Sequence, residues 1–235
     1  MKKKTIGILG GMGSEATLDM FRYIIEFTPV EKDQDHLPVL IYNNPSVPDR
    51  TASILNNRHT EIIHELTKSA KILEKGEADF IIMPCNTAHY YIEHIRKTVS
   101  IPVLNMIEET RNYIAKEFSS LDKIGLLATT GTLKTNLYQN VFGEKGIGLI
   151  IPDDDIQEQN VMGGIYRIKA GKETEHAKKL MREAVDYFVA KNSTVIIMGC
   201  TEVPLLLERQ IPGVTLINPS EIIVKRAIRY SLEGV

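Results

Sequence analysis

Short apolar runs alternate with amphipathic stretches along the whole chain. The runs at 5–9, 38–43, 79–83, 102–104, 124–127, 147–151, 194–198 and 215–217 have strand length. Continuous apolar character of that length marks strands buried on both faces. Between them the apolar positions recur at helical spacing. Residues 14–28 carry Leu18, Phe21, Ile24 and Ile25 behind Ser14, a suitable N-cap. Residues 58–75 carry Ile62, Ile63, Leu66, Ala70 and Leu73 and stop at Gly76, a C-terminal signal. The same pattern predicts helices over 132–142, 155–170, 173–191 and 219–232. Strands alternating with helices predict an α/β fold built on parallel sheets.

The pattern also repeats itself. IGILGGMGS at 6–14 matches IGLLATTGT at 124–132, an offset of 118 (124 − 6). FIIMPCNT at 80–87 matches VIIMGCTE at 195–202, an offset of 115 (200 − 85) between the two cysteines. IPVLNM at 101–106 has a looser echo in IPGVTLIN at 211–218. Three matches in one order at nearly one offset point to a duplicated half. Two similar parallel-sheet α/β domains related by pseudo-twofold symmetry are therefore expected. The first comprises 1–105 plus 216–235, and the second is inserted as 106–215. Ligands of open parallel sheets sit at the carboxyl ends of the strands, so the turns after those strands are expected to line one shared cleft.

Composition narrows the function. Of 235 residues, 43% are apolar and 25% charged, with a formal net charge of −2, so neither nucleic acid nor an anionic membrane is an expected partner. Lys2, Lys3 and Lys4 run directly into a strand-like segment rather than a signal peptide, and no apolar stretch reaches the roughly 18 residues of a membrane span. A cytoplasmic protein is expected. Two cysteines in such a chain do not make a disulfide framework, and the His59/His64 and His89/His94 pairs, five apart, have poor metal-ligand spacing. No metal site is expected.

GMGSEA at 11–16 fits a dinucleotide-binding glycine loop, but the next strand ends in Asn43 and Asn44 where an acidic residue would hold the ribose. A loop holding a small carboxylate through its backbone N–H groups uses the same physics. Cys85 and Cys200 carry more information. A lone cytosolic cysteine is usually a small buried hydrophobe. These two, however, occupy equivalent positions, each just past a buried strand and beside polar side chains: Asn86 and Thr87 after the first, Thr201 after the second. A following helix N-terminus would favour thiolate. Pseudo-twofold symmetry would set the two sulfurs on opposite sides of a bound molecule. Inverting a carbon centre needs a base on one face and an acid on the other, and a thiol titrating near 8.5 supplies either form with modest tuning.

ILGGMGSEAT at the start, NNPSVPDRT at 43–51, PCNTAH at 84–89, VMGGIYRIKAG at 161–171 and MGCTE at 198–202 resemble the aspartate/glutamate racemase family along nearly the whole chain. The resemblance implies a two-domain, pseudo-symmetric isomerase, commonly a homodimer, that racemises a small amino-acid substrate without a cofactor, using one cysteine from each half. Two departures favour its aspartate-type branch: Gly11-Met12-Gly13-Ser14 stands where glutamate racemases carry Asp-Ser, and Glu202 stands where they carry histidine. The resemblance also places Arg50 and Lys169 at the side-chain carboxylate of the substrate, although most such cations are solvated surface charges. An Arg fork binds a carboxylate bidentately. Thr130 and Thr132 mirror Met12 and Ser14 in the repeat and are candidates for the α-carboxylate or ammonium, while Tyr42 and Tyr166 are either lining or packing residues.

The chemistry is demanding, because no electron sink accompanies removal of the α-proton. Fixed dipoles must stabilise a carbanion-like state, and the donors at hand are the N–H groups after the cysteines with Asn86, Thr87 and Thr201. The expected reaction is interconversion of L- and D-aspartate. Glutamate or broad-specificity racemisation, a decarboxylase or maleate-type isomerase of the same architecture, and a non-catalytic dicarboxylate- or nucleotide-binding module are the alternatives. The symmetric thiols argue against the last.

Overall fold

The computed structural model describes residues 3–119, 121, 123–171 and 174–234. The chain divides into two compact units, one of residues 1–110 and 220–235, the other of residues 111–219.

In the first unit, β1 (Ile6–Gly10) lies between β2 (Val39–Asn43) and β3 (Phe80–Ile82), all parallel. Side chains alternate between the faces of a strand, and both faces here are apolar. Ile6, Ile8, Phe80 and Ile82 join a core with Met20 and Ile24 of α1 (Ser14–Phe27), Met106 of α5 (Met106–Glu117) and Ile223, Val224 and Ala227 of α10 (Pro219–Glu233). Leu9, Ile81 and Met83 join the opposite core, filled by Ile62, Leu66, Ala70 and Leu73 of α3 (His59–Lys75) and Ile92 and Ile95 of α4 (Ile92–Arg96). The short α2 (Arg50–Leu55) precedes α3.

In the second unit, four parallel strands run in the order β5 (Gly148–Ile150), β4 (Lys123–Ala128), β6 (Val195–Gly199), β7 (Thr215–Ile217). Leu127, Ile196 and Met198 pack with Ile165 of α8 (Gly163–Lys169) and Met181, Val185 and Phe188 of α9 (Thr174–Ala190). Two short helices, α6 (Thr130–Lys134) and α7 (Leu137–Gly143), follow β4.

The repeat is visible in the strand register. Ile8 of β1 pairs with Ile82 of β3, and Leu126 of β4 pairs with Ile197 of β6. These are corresponding residues at the offsets of 118 (126 − 8) and 115 (197 − 82).

Several elements differ from the pattern-based expectation. The helix expected over 132–142 is two helices, broken where Asn136 takes a left-handed backbone (φ 52°). The one expected over 155–170 starts as a seven-residue π-helix, Ile156–Met162, before α8. The strand expected at 102–104 is a single bridge from Ile81 to Val103, because Pro102 has no N–H to extend the ladder. Ser14 is not the N-cap of α1 but its first residue. Gly13 is the cap, and Thr17 Oγ1 accepts the Gly11 N–H and donates to the Gly13 carbonyl instead. The 3-10 turn at Thr87–Tyr91 and helices α2, α4 and α5 had not been expected. The first three are too short to show a period.

Candidate active site

Both cysteines stand beyond the carboxyl end of the strand that pairs with the first strand of its unit, β3 beside β1 and β6 beside β4. After β3, Pro84 cannot donate to a ladder, and the chain turns, with Cys85 N–H donating to Met83 O at 2.9 Å. Cys85, Asn86 and Thr87 are buried, at 6%, 2% and 5% exposure. After β6, Cys200, Thr201 and Glu202 are buried to the same degree, at 5%, 6% and 4%.

The two turns are held differently. In the first unit the imidazole of His89, 1% exposed, bridges Cys85 O (2.8 Å to Nδ1) and Met106 N (3.1 Å to Nε2). A backbone N–H can only donate and a carbonyl only accept. The ring is therefore the neutral tautomer, with its proton on Nδ1. Burial, aided by the nearby Arg96 charge, holds its pKa down at about 4. In the second unit the Cys200 carbonyl accepts the backbone N–H of Val203 at 3.0 Å, and the thiol itself is engaged. Cys200 Sγ donates to Glu202 Oε2 at 2.9 Å, Thr201 Oγ1 reaches the same oxygen at 3.3 Å, and Lys169 Nζ lies 3.7 Å from Oε1. Burial first, then the Glu202 charge, push the Cys200 thiol well above the usual range, against an opposing pull from Lys169. Cys200 therefore rests protonated. Tyr138, fully buried, is raised by burial and by its proximity to Cys200.

The first glycine loop needs glycine. Gly11 has φ 98°, and a Cβ there would lie 2.3 Å from the backbone of Asn44. Met12 packs its side chain into the core that contains Leu9 and Cys85. Its carbonyl accepts Arg50 Nη2–H at 3.0 Å, while Arg50 Nη1 donates to Val47 O and Pro48 O at 3.3 and 3.0 Å. Arg50, 8% exposed, is the first residue of α2 behind the Asp49 cap, which accepts Ala52 N–H at 2.7 Å. Its guanidinium thus stitches the glycine loop to the 43–51 segment, a role not foreseen for it. Ser14 is exposed and accepts Asn43 Nδ2–H at 2.9 Å. Tyr42 packs half-buried against the Leu9 core, and Tyr166 is exposed.

In the second unit Thr132 is fully buried. Its N–H donates to Thr129 Oγ1 at 3.2 Å, so it serves the start of α6. Thr130 Oγ1 donates to Glu158 Oε1 at 2.5 Å and accepts from Gln157 Nε2 at 3.2 Å; Gln157 Nε2 also donates to Ala128 O at 3.0 Å. Ala128 pairs with Gly199, which places this cluster at the strand end adjacent to Cys200. The structure thus gathers Cys200, Thr201 and Lys169 around Glu202, and joins Met12 to Arg50. Glu202, His89, Gln157 and Glu158 were not among the expected site residues. His89 and Glu202 lie four and two residues past a cysteine, within reach of a turn, which is the signal that could have found them.

A family model described as Asp/Glu/Hydantoin racemase matches residues 9–227. The broad specificity amino-acid racemase RacX of Bacillus subtilis is 29% identical over 229 residues, covering 95% of this chain and 96% of that protein. Glutamate racemase of Aquifex pyrophilus is 28% identical over 178 residues, 71% of this chain but 64% of that one. The structure of Picrophilus torridus aspartate racemase superposes with a TM-score of 0.85 at 28% identity, covering 97% of this chain and 94% of that one. The chain belongs to the Asp/Glu/hydantoin racemase family, and it is an isomerase of the amino-acid racemase type.

Proposed function

We propose that this racemase inverts the Cα of an acidic amino acid, aspartate foremost, with Cys85 and Cys200 as the two acid/base groups and no cofactor. The observation that carries the reading is the register equivalence of the two cysteine-bearing strands, β3 paired with β1 and β6 paired with β4, each followed by its cysteine. The mechanism requires both thiols to reach one Cα from opposite faces. With Cys200 resting as the acid, Cys85 is the base of the first turnover and takes the α-proton, while Cys200 delivers its own to the other face. Cys200 is then a thiolate beside the Glu202 carboxylate, and the Lys169 ammonium offsets the charge gathered there. Donors around Cys85 and Cys200 — Asn86, Thr87 and Thr201 with neighbouring N–H groups — would bind the α-carboxylate and stabilise the dianionic state. Met12, Ser14, Thr130 and Thr132 remain the proposed contacts of the glycine loop and its repeat, with the Thr132 N–H already engaged by the Thr129 cap.

Broad specificity is the second reading. Arg50 already donates to three carbonyls and Lys169 already faces Glu202, so each cation has work other than binding a substrate carboxylate. Deuterium uptake at Cα in D₂O, with no cofactor added, separates the two. Uptake by aspartate well above that by glutamate and neutral amino acids supports the first. Comparable uptake across them supports the second, and uptake by none contradicts both.

A further inference from the structure

We propose that His89 is a positioning residue for Cys85, fixing the turn that carries the thiol by bridging the Cys85 carbonyl to the first N–H of α5. The proposal rests on the two-thiol reading for its catalytic consequence, although the positioning itself can be read without any activity.

The Cys85 turn lies outside the sheet ladder, so its carbonyl must find a donor elsewhere. In the second unit the equivalent carbonyl, that of Cys200, is satisfied by the backbone N–H of Val203. In the first unit the donor is a side chain four residues on, and the repeat position of His89 in the second unit is Pro204 (89 + 115), which has no such group. His89 is tied at three points: its N–H donates to Asn86 O at 3.0 Å, Nδ1–H to Cys85 O, and Nε2 accepts Met106 N–H. Met106 N is one of the donors that the start of a helix leaves without an intrahelical partner. The ring therefore couples the thiol's turn to a helix that is anchored in the Ile223–Ala227 core through Met106. A neutral imidazole, with one donor and one acceptor nitrogen, satisfies both ends. The structure thus uses a titratable side chain where proton transfer to substrate is not its role: both ring nitrogens are occupied by backbone.

The test uses His89→Leu, which removes both bonds, and His89→Asn, whose amide keeps a donor for the Cys85 carbonyl. Cys85→Ser and Cys200→Ser first assign which enantiomer of aspartate each thiol deprotonates, by solvent-deuterium exchange. His89→Leu is expected to slow exchange of the Cys85-dependent enantiomer by about tenfold or more, the scale of a sub-ångström misplacement. The other enantiomer should change little, and His89→Asn should recover part of the loss. Iodoacetamide labelling resolved by peptide mass spectrometry supplies an activity-free readout: the Cys85 labelling rate should shift and the Cys200 rate should hold. If His89→Leu fails to fold, the labelling of His89→Asn carries the test, with a smaller shift confined to Cys85. Equal losses for both enantiomers, or an unchanged Cys85 labelling rate, would overturn the positioning role. A wild-type protein that exchanges neither enantiomer overturns the racemase reading, while the labelling result still decides the positioning claim.

Discussion

The Cys200 thiol donates to the Glu202 carboxylate at 2.9 Å, and that carboxylate faces the Lys169 ammonium at 3.7 Å. Among the described residues no carboxylate stands in this relation to Cys85. The two thiols are thus equivalent in repeat position, while among the described residues only Cys200 is hydrogen-bonded to a carboxylate.

Opposite pH shifts follow from that chain of three groups. Glu202 raises the Cys200 pKa and Lys169 lowers it. Glu202→Gln should therefore move the alkaline limb of the pH–rate profile to lower pH, in the direction of the protonation that needs the Cys200 proton. Lys169→Met, which leaves the buried carboxylate uncompensated, should move it higher. Profiles of the two variants that superimpose on the wild type would show that Glu202 does not govern Cys200.

Arg50 should report on substrate and fold together. Arg50→Ala removes hydrogen bonds to the carbonyls of Met12, Val47 and Pro48. Buried carbonyls left unpaired cost about 1–3 kcal/mol, so the denaturant midpoint should fall. If Arg50 also meets a substrate carboxylate, KM should rise more for aspartate and glutamate than for alanine or serine. A uniform rise would leave Arg50 as a loop clamp alone.

His89 makes stability depend on acid. An unfolded histidine titrates near 6.5, and this one is held at about 4 by burial with the help of Arg96. Between those values the unfolded chain binds the extra proton and the folded chain does not. The stabilisation is complete above about pH 6.5 and is lost as pH falls through 4, by about 3 kcal/mol in all. Denaturant midpoints of wild type and His89→Asn should converge across that window. Parallel pH dependences would contradict the assignment of the buried neutral ring.

Strand positions, the repeat and the two cysteines were legible because each is a contiguous pattern: a buried parallel strand is apolar throughout, and the motif after it recurs. The roles of Glu202, His89 and Gln157 were not, because they depend on turns whose side chains reach back over two to four residues or across to a neighbouring strand end. Helix α5 carries Met106, Ile107 and Ile114 inward, but its start behind Asn105, which accepts Ile107 N–H at 2.9 Å, is an asparagine cap that a strand assignment at 102–104 obscured. Arg50 was expected to meet substrate, and its contacts with Val47 and Met12 depend on a loop path that composition does not encode.

The central claim is tested most directly by the racemisation rate of Cys85→Ser and of Cys200→Ser, with Cα deuterium exchange into D- and L-aspartate followed separately. Full inversion needs both a base and an acid, and a serine hydroxyl is far too weak a base near neutrality. The account predicts that each single variant loses racemisation in both directions, and that exchange survives for one enantiomer in the first variant and for the opposite one in the second. Near-normal racemisation by either variant would contradict it and return the cysteines to the role of small buried residues.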